Sequence, residues 1–94
     1  KASKKFLVGS EPVLEFVQRK FNDLEVWDVD SIDNALEESK TSLSLTTPQL
    51  NQPIRIAMTG STQSPSLGLT LTLFDLTEVN IRIDTALKYL ADLN

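Results

Sequence analysis

"SPSLGLTLTLFDL", Ser64 to Leu76, is the stretch on which the fold class turns. Leu67, Leu69, Leu71 and Leu73 alternate with Ser66, Gly68, Thr70 and Thr72. A period of two marks a half-buried strand, and Thr and Gly are poor helix formers. Yet the same stretch opens as a helix does, with Ser64 able to cap and Pro65 at the first helical position. Leu67, Leu71 and Phe74 also lie at helical spacing. On pattern alone strand has the edge. Every other segment with a clear signal reads as helix, however, and a lone strand leaves its N–H and C=O groups unpaired. That turns the balance to helix over Pro65 to Leu76 and the fold class to all-α, a compact bundle of about five helices.

The four flanking signals are less divided. In "GSEPVLEFVQRKFNDL", Ser10 can cap, Pro12 falls in the first turn, and Val13, Leu14, Val17, Phe21 and Leu24 recur at helical spacing. In "WDVDSIDNALEESK", Asp28 suits the N-cap. Val29, Ile32, Ala35 and Leu36 form an inner stripe, and Asp30 and Asp33 favour the N-terminal dipole. In "NQPIRIAMTG", Pro53 has no N–H and belongs in a first turn. Asn51 or Gln52 would cap it and Gly60 would stand at C′, giving a short helix from Pro53 to Thr59. In "TEVNIRIDTALKYLADLN", Thr77 can cap. Val79, Ile83, Ala86, Leu87, Leu90 and Leu93 mark one face, and Arg82 falls on the polar side.

The 94 residues make one domain, 1–94, with room for one modest core. Hydrophobic content of 40% with 23% charged residues is that of a globular chain. There is no cysteine, hence no disulfide framework or thiolate metal site. There is no histidine either, which removes the commonest general base and metal ligand. No apolar run is long enough to span a bilayer. The opening "KASKKFLVGS" is too short in its apolar part for a signal peptide, and the chain reads as a fragment of a longer one.

The net charge of −4 is unevenly distributed. Residues 1–20 carry +3, residues 21–40 carry −6 and residues 41–94 carry −1. Broad, sequence-blind nucleic-acid binding is therefore not expected. Between Thr41 and Phe74 only Arg55 is ionisable. With no charged neighbour in sequence, Arg55 is expected to be free of local ion pairs. The acidic run Asp23 to Glu38 reads as a solvated face. Lys1, Lys4, Lys5, Arg19 and Lys20 read as solvated too. Trp27 reads as a core anchor before a stacking platform, and Phe6, Phe16, Phe21, Phe74 and Tyr89 as core or half-buried residues.

Gln52-Pro53-Ile54-Arg55, Ile56-Ala57-Met58-Thr59-Gly60 and Ser64-Pro65-Ser66-Leu67 stand in a row without gaps. This arrangement resembles the C-terminal anticodon-binding domain of bacterial-type glutamyl-tRNA synthetase (glutamate–tRNA ligase). That family carries Gln-Pro-Leu-Arg, an aliphatic and small run ending in Thr-Gly, then Ser or Thr, Pro, a small residue and Leu. "RIDTAL", Arg82 to Leu87, falls where the family has an Arg-Leu-x-x-Ala-Leu helix. Two departures stand out. The family's Leu-Gly-Lys-Glu turn is replaced by Leu73 to Glu78, and Gly68 occupies a position where the family prefers a bulky residue.

The resemblance implies an all-helical domain of a class I aminoacyl-tRNA synthetase. The catalytic half, with its His-Ile-Gly-His signature and its ATP and Mg²⁺, would lie elsewhere in the parent enzyme. The fragment itself would need no cofactor and no metal and would catalyse nothing. The implied partner is the anticodon loop of tRNA(Glu), with no role for DNA or membrane, in a cytoplasmic monomer. Arg55, Ser64, Pro65 and Leu67 occupy the family's nucleotide-contacting positions and are the candidate RNA-binding residues. Their chemistry suits the task. Unstacked loop bases are read by a few hydrogen-bonding groups and flat or apolar surfaces. Arg55 supplies a planar fork of donors, Ser64 a hydroxyl, and Pro65 and Leu67 apolar surface. A helical protein–protein interaction module using the low-charge run is the alternative. A carboxylate enzyme built on Asp30 and Asp33 has no motif behind it.

Overall fold

The computed structural model describes residues 9–60 and 66–93. Among them are five helices: α1 (Glu11–Asn22), α2 (Val29–Leu43), α3 (Thr47–Thr59), α4 (Leu67–Thr72) and α5 (Leu76–Leu93). No strand occurs among the described residues, so the all-α expectation holds. Long α5 lies against α1 and α3. Helix α2 packs on α1 and α4, and short α4 bridges α2 and α3.

The alternating leucines resolve into helix for a packing reason. Leu67 and Leu71, one turn apart, are buried, whereas Leu69 and Leu73 are 51% and 78% exposed. A strand would have placed all four on one face. Only two are needed to reach the core, and an α-helical turn delivers those two. Ser66 is the N-cap seen in the structure, its hydroxyl facing the Leu69 N–H at 3.5 Å. The Ser64–Pro65 helix opening lies outside the described residues. At the other end α4 stops short of the expected Leu76. The N–H groups of Leu73 and Phe74 bond back to Thr70 and Leu71 at 3.1 Å, turning the chain. Asp75 then starts α5. Its carboxylate accepts from the Glu78 N–H at 2.8 Å and its carbonyl from the Val79 N–H at 3.0 Å. Asp75 thus does the capping expected of Thr77, which lies inside the helix. Since no residue of this corner has a positive φ, the missing family glycine is not required here.

Helix α3 begins six residues before Pro53. Thr46 and Gln49 form a capping box. The Thr46 hydroxyl accepts from the Gln49 N–H at 3.3 Å, and the Gln49 side chain accepts from the Thr46 N–H at 2.9 Å. Pro48 occupies the first turn. Pro53 is therefore interior, buried, and withdraws one N–H from the helical ladder. Asn51 and Gln52 are helical residues and not caps. Gly60 ends α3 as expected, in the left-handed region at φ 76° with its N–H on the Ile56 carbonyl.

Helix α2 keeps its expected cap, the Asp28 carboxylate accepting from the Ser31 N–H at 2.8 Å. That bond, aided by the Ser31 hydroxyl, holds the Asp28 carboxyl below its ordinary value. At its other end the N–H of Leu45 reaches the Lys40 carbonyl and that of Ser44 the Thr41 carbonyl, a Schellman closure with Ser44 at φ 56°.

The core draws on every helix. Leu14, Val17 and Phe21 come from α1, Ile32, Ala35 and Leu36 from α2, and Val79, Ile83, Ala86 and Leu90 from α5. Trp27 is a core anchor, as expected. Its ring meets Phe21 edge-on at 5.4 Å, and its Nε1 donates to the Phe74 carbonyl at 2.9 Å. Arg82 is not a plain polar-face residue. It donates from Nη1 to the Met58 carbonyl at 2.6 Å and from Nε to Glu78 at 2.9 Å, and its guanidinium lies 4.6 Å from the Phe74 ring centre. One arginine of α5 thereby satisfies a carbonyl in the last turn of α3 and clamps the corner before α5.

Candidate nucleic-acid interface

The packing of α2, α3 and the start of α4 leaves a cleft of about 330 Å³. Its floor is apolar and comes from all three helices: Leu36, Leu50 and Leu67, each under 10% exposed. Its walls are polar and follow helical spacing. Asp33, Glu37 and Lys40 stand one turn apart on α2, and Thr47, Asn51 and Arg55 one turn apart on α3. The capping box that starts α3 at Thr47 is what brings these last three residues onto one face.

Arg55 therefore does not stand among neutral groups only. Asp33, Glu37 and Lys40 line the same cleft, which corrects the expectation that no charge lies near it. The acidic run Asp23 to Glu38 is a solvated face as expected, all seven of its acids being exposed. Asp33 and Glu37, though exposed, also border the cleft. Within the wall, Lys40 Nζ is 3.2 Å from Glu37 Oε2 and 3.3 Å from the Thr47 hydroxyl. It ties the end of α2 to the start of α3 and neutralises Glu37. Lys20, read as a solvated residue, pairs with Glu38 at 2.6 Å.

Of the four candidate contact residues, two are brought to this cleft. Half-buried Arg55 lies in its α3 wall and Leu67 in its floor. Leu67 is 3% exposed, so it shapes the cleft from below more than it offers open surface. Ser64 and Pro65 lie outside the described residues. Asp33, Glu37, Lys40, Thr47 and Asn51 were not among the candidate contact residues. The signal for the α3 residues was the Thr46-x-x-Gln49 capping box. For the α2 residues it was the four-residue spacing of Asp33 and Glu37 opposite the buried stripe.

Two acids and two bases give the cleft no net charge. Such a site discriminates by placed donors and acceptors, not by bulk attraction to phosphate. Among the described residues no three His, Cys, Asp or Glu side chains are grouped to hold a metal ion, and no helix is long and apolar enough to cross a membrane.

The described residues thus form an all-helical domain with a locally neutral, hydrogen-bonding cleft. The family model described as anticodon binding domain matches residues 1–87, and the chain belongs to that family. The partner that goes with the family is tRNA, engaged at its anticodon.

Proposed function

We propose that this domain recognises the anticodon loop of tRNA(Glu) for a glutamate–tRNA ligase. ATP-dependent charging would be carried out by a catalytic half elsewhere in the parent enzyme, in the cytoplasm. The observation that carries the proposal is the position of Arg55. The Gln52-Pro53-Ile54-Arg55 element sits in the middle of α3, and its arginine lines a cleft floored by Leu67. Arg55 offers a base edge or phosphate a forked donor, and Ser64 and Pro65 are the further contact residues that the resemblance implies. Stacking on an apolar floor and a few directed bonds suffice for a loop base.

The test is a titration of the domain with tRNA(Glu), and with the same tRNA carrying a changed anticodon. Arg55→Ala should weaken the cognate tRNA by roughly 1–3 kcal/mol, the loss of a forked charge-assisted contact. Arg55→Lys should recover only part of that. The salt dependence should be shallow, since few cations displace counterions. Equal affinity for both anticodons, or no loss in Arg55→Ala, refutes the assignment. The alternative interaction module draws on exposed Leu69 of α4 and exposed Leu73, the residue that follows its end. A protein partner lost on Leu73→Asp, together with absence of tRNA binding, would favour it.

A further inference from the structure

Four ionisable groups line the cleft, and Asp33 differs from the other three. Glu37 and Lys40 satisfy each other, and Arg55 is also engaged within the fold. The Asp33 carboxylate has no hydrogen bond or ion pair among the described residues. Asp33 is exposed, so water solvates its carboxylate, which can only accept and is open to a donor that displaces that water.

Gly68 shows how that carboxylate is placed. The φ of Gly68 is not positive, so the backbone does not demand glycine there. The residue is buried, and a Cβ added to it would collide with Asp33 Oδ1 and come within 3.1 Å of Asp33 Cγ. Glycine is thus the residue that leaves room for the carboxylate. The volume of about 330 Å³ lies at the low end of small-ligand pockets, roughly 300–1,000 Å³. It suits one extruded base and not a stack.

We propose that Asp33 is a specificity-determining residue of the cleft, its carboxylate accepting the exocyclic amino group of one base of the bound loop. Cytosine carries that amino group and uracil a carbonyl oxygen at the same place. A carboxylate repels the carbonyl and binds the amino group, so the cleft prefers cytosine to uracil at the position it reads. Arg55 on the opposite wall complements the acceptors of the same base edge. The proposal rests on the domain's binding of anticodon loops, and adds a selecting group on α2 to it.

The test uses fluorescently labelled anticodon stem–loops that differ only in cytosine or uracil at each anticodon position in turn. They are titrated against the wild-type chain, Asp33→Asn and Gly68→Ala, with circular dichroism as the check of fold. At one position the wild type should bind cytosine about tenfold more tightly than uracil, in the range for a directed contact to a base edge. Asp33→Asn presents an amide that donates as well as accepts, so that preference should vanish or invert. Gly68→Ala keeps the acid and should reduce the preference by displacing the carboxylate. Alanine is a better helix former than glycine, and the group displaced is the end of a flexible side chain, so the fold should be kept. A uniform rise in affinity for all loops in Asp33→Asn, with the preference intact, overturns the proposal and leaves Asp33 as a source of repulsion only. A wild type without preference at any position overturns it too, while anticodon-loop binding itself stands. Failure of the wild type to bind any loop overturns anticodon reading and this proposal together.

Discussion

Replacing Arg82 with alanine tests how the bundle is held. Three contacts are lost at once: the bond to the Met58 carbonyl at 2.6 Å, the face of Phe74 at 4.6 Å and the ion pair with Glu78 at 2.9 Å. They are not equal. The Arg82 side chain is 39% exposed and that of Glu78 42%, so solvent screens the ion pair to a few tenths of a kcal/mol. A cation over an aromatic face at a half-exposed site contributes about 0.5–1 kcal/mol. The charged bond to Met58 dominates at about 1.5–3 kcal/mol, because that carbonyl belongs to the last turn of α3 and has no intrahelical donor. The expected loss is about 2–3 kcal/mol, discounted for water reaching the freed carbonyl. Urea unfolding measures it. With a slope on the order of 1 kcal/mol per molar, the midpoint should fall by roughly 2–3 M at an unchanged slope. Arg82→Lys should recover part of the loss, keeping one donor without the fork. A stability within about 0.5 kcal/mol of wild type would show that the clamp contributes nothing and refute the reasoning. Any loss of tRNA binding in Arg82→Ala should track the unfolded fraction, unlike the direct loss expected of Arg55→Ala.

Two further outcomes follow from the helix ends. Ser44 closes α2 at φ 56°, where a side chain costs about 1 kcal/mol that glycine avoids; Ser44→Gly should therefore stabilise by roughly 0.5–1 kcal/mol in the same urea assay, and a destabilised variant would show that the Ser44 side chain itself holds the turn. The Asp28 carboxyl is held below its ordinary value by the Ser31 N–H and hydroxyl, so its stabilisation is present above the unfolded-state value and is lost as pH falls through the lowered folded one. The stability gap between wild type and Asp28→Ala should accordingly be full at neutral pH and shrink on acidification; a gap independent of pH would refute the charged cap.

The sequence by itself determined whatever depends on neighbours along the chain. Asp28 as a cap, Gly60 as a terminator and the inner stripes of α1, α2 and α5 needed only local chemistry and a 3.6-residue period. The absence of cysteine and histidine bounded the chemistry just as directly. Helix boundaries were legible at Asp28 and Gly60, whereas Thr77, Asn51 and Gln52, expected as caps, lie inside helices. The start of α3 is set by the Thr46-x-x-Gln49 capping box, which the local signal of Pro53 as a first-turn residue masks, although Pro53 sits inside the helix. Tertiary structure alone decided the rest. The alternating leucines of α4 satisfy either period, and only the positions of α2 and α3 select the two that are buried. The partners of Arg82 lie 24 residues back at Met58 and in the corner at Phe74. Asp33 and Arg55 come from different helices, and only helix packing brings their side chains to one cleft with Leu67 beneath. Local propensity fixes where a helix runs and which face it buries. Which helices lie side by side is fixed by complementary packing of those faces, and a site built between helices is legible only once that packing is known.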